Sequence, residues 1–146
     1  MISVFTIGFT QTSAEEFFEK LRTAGIQKVV DVRLNNSSQL AGFSKRDDLR
    51  YFLKTIAKID YSEEPLFAPT QSMLESYRKQ KGSWPDYERA FRQLLRQRKV
   101  EEKTTPSSLQ MSCLLCSEKN PHYCHRRVVL EYLNECWGTL KTIHLV

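Results

Sequence analysis

No stretch of the chain approaches the roughly 20 consecutive apolar residues that a membrane-spanning helix requires. Its apolar start, MISVFTIGF, has neither a basic leader nor a small-residue cleavage site. The expectation is a cytoplasmic protein whose first residues form a strand, with no membrane partner. Cysteine is sparse for a disulfide scaffold, four in 146 residues, so reduced thiols are expected and metal binding, catalysis and plain burial compete to explain them. Five glycines and five prolines are too few for a fibrous or low-complexity chain, and no internal repeat occurs. Neither G-x-G-x-x-G nor a P-loop is present, and no cofactor is expected.

What is there fits one domain spanning residues 1–146, with 40% hydrophobic and 27% charged residues. The net charge of +5 is unevenly placed. Between Arg78 and Lys103 stand nine Lys or Arg against four acids, so this segment holds the whole surplus. A localised basic face suits a nucleic-acid or nucleotide partner. A solvated helix face is the plain alternative.

The run from Ser3 to Ile7 reads as a strand. Ser13 with Glu16 forms a capping box for a helix whose Ala14, Phe17, Phe18 and Leu21 share a face, and Gly25 stops it. KVVDVR is a second, fully buried strand, followed by the polar loop LNNSSQLAGF. SKRDDLRYFLKTIAK predicts a helix capped by Ser44 with Leu49, Phe52, Leu53 and Ile56 inward, then IDYS a weak strand. TQSMLESYRKQ predicts a short helix. GSWPDYERAFRQLLRQRKV predicts a longer one, capped by Ser83, with Pro85 in its first turn, Tyr87, Phe91, Leu94 and Leu95 inward, and most arginines outward. EEKTTPSS is a loop and LQMSCLLC a strand. Asn120 and Pro121 look like the cap and first turn of the helix HYCHRRVVLEYLNECW, and TLKTIHLV is a last strand.

Strands alternating with helices predict an α/β fold: a three-layer sandwich with a mostly parallel five-stranded sheet and helices on both faces, Rossmann-like. Such sheets bind ligands beyond the carboxyl ends of their strands, where strand order reverses. If the first and fourth strands are neighbours there, GFT (8–10), DVR (31–33) and CSEKNPHYCHRR (116–127) converge.

The three elements FTIGFT, VVDVR and LLCSEKNPHYCHRRVVLEYL, in that order and spacing, resemble the domain of unknown function 488 (DUF 488) family. The resemblance implies a compact α/β domain and covers Gly8, Asp31, Arg33, Cys116, Glu118, Cys124, His125 and Arg126. In the family a histidine usually follows the glycine of the first element, where this chain has Phe9, and the loop after DVR is often richer in Pro and Arg than LNNSSQLAGF.

Several chemistries stay open for this constellation. Cys113 and Cys116 are separated by two residues of a strand and so face apart, which makes Cys113 a core residue. Cys116, Cys124 and His125 could hold zinc with Asp31 or Glu118 as a fourth ligand, although no metal is expected. Catalysis would use Cys116 or Cys124 as nucleophile, His125 as acid or base, with Glu118 beside them and Arg33 and Arg126 as an anion clamp. The same residues, with Gly8, Thr10 and Asp31, could instead only bind a phosphate or carboxylate, and a purely structural turn held by Glu118 against Arg33 or Arg126 competes. Trp84, Arg89, Arg92, Arg96 and Lys99 are the candidate nucleic-acid contacts, by stacking and phosphate pairing. His122 and Tyr123 could touch a substrate at the mouth of the site, whereas Cys136, Trp137 and His144 belong to packing or surface. The expected function is an enzyme acting on a nucleotide or nucleic acid. The alternatives are a non-catalytic nucleotide or nucleic-acid binding module, or thiol redox or sulfur transfer by Cys116 and Cys124.

Overall fold

A computed structural model describes residues 1–36, 42–78, 82–118 and 120–146. Part of the polar loop expected at 34–43, and Lys79, Gln80 and Lys81 of the basic segment, lie outside these residues. The strands are β1 (Ile2–Gly8), β2 (Lys28–Asp31), β3 (Asp60–Glu63), β4 (Ser112–Cys116) and β5 (Leu140–Leu145). They form one sheet in the order β3-β2-β4-β1-β5, with every pairing parallel. The helices are α1 (Ala14–Thr23), α2 (Arg46–Phe52), α3 (Gln71–Arg78), α4 (Trp84–Arg98), α5 (Val100–Lys103) and α6 (His125–Trp137). No helix among the described residues is long and apolar enough to cross a membrane.

The sheet has a buried layer on each side, as alternation along its strands requires. Leu114 and Cys116 of β4 face a core completed by Tyr87, Phe91 and Leu95 of α4 and by Val128, Val129 and Leu133 of α6. Cys113 and Leu115 face the other core, with Phe17, Phe18 and Leu21 of α1 and Leu49 of α2. The two cysteines of the C-x2-C pair therefore sit on opposite faces of the sheet.

Local chemistry sets the element ends. Ser13 caps α1 by accepting from the Glu16 amide at 3.1 Å, and Gly25 follows it at φ +73°, where only a residue without Cβ is unstrained. Ser83 caps α4 through the Asp86 amide.

Four expectations are corrected. Ser44 does not cap α2: it is buried in the 3-10 turn Gly42–Ser44, and Lys45 stands at the N-cap, where its side chain makes no capping hydrogen bond. After Phe52 the helix widens into a π turn, Leu53–Ala57, which rotates later residues off the helical stripe, so Ile56 is 53% exposed instead of inward. The expected loop 101–108 includes most of α5 and the start of the 3-10 turn Ser107–Leu109. Finally, α6 starts at His125 with Cys124 as its N-cap, because Asn120 spends its side chain on a local turn, accepting from the His122 amide at 2.9 Å.

Candidate thiol site

The carboxyl ends of β1, β2 and β4 lie side by side: Gly8 pairs with Cys116 and Asp31 with Leu115. The juxtaposition expected of segments 8–10, 31–33 and 116–127 is present. Above this edge is a cleft of about 230 Å³ whose lining includes Phe9, Arg33, Cys116, Cys124, His125 and Trp84.

The floor is built by β4 and the start of α6. Cys116 Sγ lies 3.5 Å from His125 Nδ1 and 3.9 Å from Nε2. The Nε2 atom is 2.7 Å from the Val32 carbonyl oxygen, which can only accept. Nε2 therefore carries the proton and Nδ1 is left facing the sulfur. His125 is buried and its ring packs edge-on against Phe91, so Val32, just past the end of β2, and helix α4 hold the imidazole in place.

Cys116 and Cys124 are both buried free thiols with opposite tendencies. A hydrogen bond from Cys124, the charge of Arg126 and backbone hydrogen bonds at Ser117 and Glu118 hold the Cys116 thiol below its ordinary value, against the opposing effect of burial. Burial, together with the neighbouring Cys116, pushes Cys124 well above it. On the other face of the sheet, burial pushes Cys113 far up, consistent with a core thiol.

Two arginines flank the sulfurs in different ways. Arg126 is fully buried; its NH1 donates to the Glu118 carbonyl and lies 3.6 Å from Cys124 Sγ. Arg33 is locked by Asp31 through Nε to Oδ1 at 2.9 Å and NH2 to Oδ2 at 2.8 Å. This fork leaves NH1 without a hydrogen-bond partner among the described residues, on a side chain that lines the cleft. Burial opposes the guanidinium charge, but the bonds and charge of Asp31 override it and raise the Arg33 pKa. Tyr61 donates to Asp31 Oδ2 at 2.5 Å, and burial, then this bond, pushes its phenol far up. Phe9 offers its ring face to the Arg33 guanidinium at 5.4 Å.

Of the other expected residues, Gly8 and Thr10 shape the site without lining the cleft, whereas Glu118 lines it. A Cβ on Gly8 would stand 1.7 Å from the Glu118 carbonyl oxygen, so glycine is required for strand and loop to pass. Thr10 donates its hydroxyl to the Ser117 carbonyl at 2.6 Å. The Glu118 carboxylate is half exposed and faces Arg78 at 3.7 Å, so the turn held by Glu118 against Arg33 or Arg126 is replaced by a main-chain bond from Arg126.

The walls are aromatic. Trp84 stacks on Tyr87 with ring centroids 5.1 Å apart and lies 5.6 Å from Tyr123; Tyr77 of α3 packs against both Trp84 and Tyr87, and Arg78 beside it also lines the cleft. Sequence reasoning missed Tyr61, and it placed Arg78 on a basic face, with Tyr77 beside it as a stacking candidate, rather than in the wall of a cleft. A weak strand carries no signal for Tyr61.

The basic face is less available than the sequence suggests. Arg92 is held by Glu88, Glu131 and Glu135, and Arg98 donates to the carbonyls of Leu66 and Ala68. Arg89, Arg96 and Lys99 are exposed, Arg89 beside Asp86 at 3.0 Å.

Cys116, Cys124 and His125 place their donor atoms within 4.8 Å of one another, the one such group among the described residues. They could supply three soft ligands. Asp31 is consumed by Arg33 and Tyr61, Glu118 points to Arg78, and a guanidinium lies against Cys124, so the four-ligand zinc set is not assembled.

Comparison with known proteins gives one finding. The family model DUF488, domain of unknown function DUF488, matches residues 13–133, and the chain belongs to this family. No curated protein and no solved structure matches the chain.

Proposed function

We propose that this member of the DUF488 family is a thiol-dependent enzyme acting on a nucleotide, with Cys116 as nucleophile and His125 as its proton partner. The observation that carries the reading is the Cys116–His125 pair, 3.5 Å apart, opening into a cleft that also presents Arg33 and aromatic rings. A nucleophilic thiol needs a nearby base, and that base needs a third group to orient it; here the Val32 carbonyl does so. Nδ1 takes the thiol proton, the sulfur forms a bond to an electrophilic carbon of the substrate, and the imidazolium returns the proton to the departing group.

Arg33 NH1 and Arg78 suit the phosphate, since both cations line the cleft. Trp84 and Tyr123 suit a base, because stacking accepts any planar ring. Arg126 acts through the thiols, favouring the Cys116 thiolate and holding the loop, rather than through a ligand.

The test is protection. Nucleoside monophosphates added to the full chain are expected to slow iodoacetamide labelling of Cys116 and to quench the fluorescence of Trp84, both effects lost in Trp84→Leu. Inorganic phosphate alone should protect far less. Protection of a thiol that labels no faster than a denatured one would leave a non-catalytic nucleotide-binding module. Absence of protection by any nucleotide would remove the nucleotide reading.

A further inference from the structure

Cys124 forms no bond to substrate in the proposed chemistry and only donates to Cys116, yet its placement is specific. It comes from a different element than Cys116, capping α6 where Cys116 ends β4, and the connection between them is folded back tightly. The Cys124 amide donates to the Pro121 carbonyl at 3.3 Å, and Arg126 NH1 bridges the Glu118 carbonyl to Cys124 Sγ. As a result the two sulfurs, with the His125 nitrogen, fall within 4.8 Å of one another, and both cysteines line the same cleft. A disulfide needs the sulfurs at about 2.05 Å, so the two atoms, now no more than 4.8 Å apart, must close on one another for it to form.

The other two cysteines cannot substitute. Cys113 belongs to the core on the opposite face of the sheet, and Cys136 is exposed near the far end of α6.

We infer that Cys124 is a resolving thiol, and that hydrogen peroxide converts Cys116 and Cys124 to a disulfide that reversibly closes the site. This rests on the reading of Cys116 as a reactive thiol. The Cys116 thiolate attacks one peroxide oxygen, a sulfur–oxygen bond forms as the oxygen–oxygen bond breaks, and the departing hydroxide takes up a proton as water. Cys116 is oxidised by two electrons to a sulfenic acid and peroxide is reduced. Cys124 sulfur then attacks Cys116 sulfur, the sulfur–oxygen bond breaks, and the second hydroxide leaves as water with the proton Cys124 gives up. Because burial and the Cys116 thiolate keep Cys124 protonated, it remains a donor to Cys116 until oxidation removes that negative charge.

The test uses the full chain carrying Cys136→Ser, reduced, treated with hydrogen peroxide, blocked, and digested without reductant for mass spectrometry. The expected result is one joined pair of peptides containing Cys116 and Cys124, an intact mass lower by two hydrogens, loss of Cys116 labelling, and its return after dithiothreitol. In Cys124→Ser the same treatment should carry Cys116 on to sulfinic acid, a gain of two oxygens that dithiothreitol does not reverse. Cys116 oxidised in the parent chain with Cys124 still free, or a link through Cys113, overturns the inference whatever the variant does. Fast labelling of Cys116 without a disulfide would defeat the inference alone; a Cys116 inert to both reagents would defeat the thiol-enzyme reading as well.

Discussion

Gly8 passes the loop after β4 so closely that a β-carbon on it would lie 1.7 Å from the Glu118 carbonyl oxygen and 3.0 Å from Arg126 NH1. The obstacle is backbone, which cannot swing aside. Gly8→Ala is therefore expected to cost at least the upper end of the about 1–3 kcal/mol typical of overpacking. Because the same loop hydrogen-bonds the Cys116 sulfur, the thiol should become less acidic too. Urea unfolding and Cys116 labelling together check this; a neutral substitution would mean that the loop is not fixed.

Asp31 holds Arg33 and accepts from Tyr61 in a buried setting. Removing its charge strands a guanidinium, so Asp31→Asn should cost about 3–5 kcal/mol. Tyr61→Phe removes one bond to a charged acceptor and should cost about 1.5–3 kcal/mol. The folded-state phenol pKa is raised, so its contribution is complete below the unfolded tyrosine value of about 10 and is lost as pH rises beyond it. The stability gap between the parent and Tyr61→Phe should thus shrink above that pH, as denaturant titrations at several pH values would show.

Arg78 is an exposed residue of the cleft wall whose ion partner is the half-exposed Glu118. Arg78→Ala should leave the denaturation midpoint unchanged and weaken nucleoside monophosphate binding, with less salt dependence than the parent. Equal affinity in both, by fluorescence titration, would place the phosphate elsewhere.

Reversing charge at Arg89, Arg96 and Lys99 together should leave mononucleotide protection of Cys116 intact, since none of the three lines the cleft. Arg92→Ala differs: it breaks a pair with Glu88 within α4 and the pairs with Glu131 and Glu135 that join α4 to α6, and should lower stability without a specific effect on binding. Retention on single-stranded DNA, lost in the triple reversal alone, would extend the ligand from a nucleotide to a strand.

Much of this molecule was legible in its residues, and what was not has physical reasons. The alternation of strands and helices carried the parallel sheet, and the carboxyl-end rule brought Gly8, Asp31, Arg33 and Cys116 together before any coordinates. The opposite facing of Cys113 and Cys116 followed from strand geometry alone. The start of α6 was misread because Asn-Pro is both a helix start and a turn, and here Asn120 closes its own turn. Ile56 looked inward because periodicity assumes a uniform helix, which the π turn interrupts. Charge counting overstated the basic face, since two of the three acids that neutralise Arg92, Glu131 and Glu135, lie about forty residues away on α6, invisible to a local window. Tyr61, whose phenol reaches Asp31 across thirty residues of sequence, left no local trace.

The most direct test is the pH dependence of Cys116 alkylation in the folded Cys136→Ser chain. The rate should level off with a midpoint below the ordinary thiol value of about 8.5, and Cys124→Ala, which removes the donor to that sulfur, should move the midpoint upward. A midpoint at or above the ordinary value, unmoved by Cys124→Ala, would mean that Cys116 is a core thiol and that the cleft holds no nucleophile.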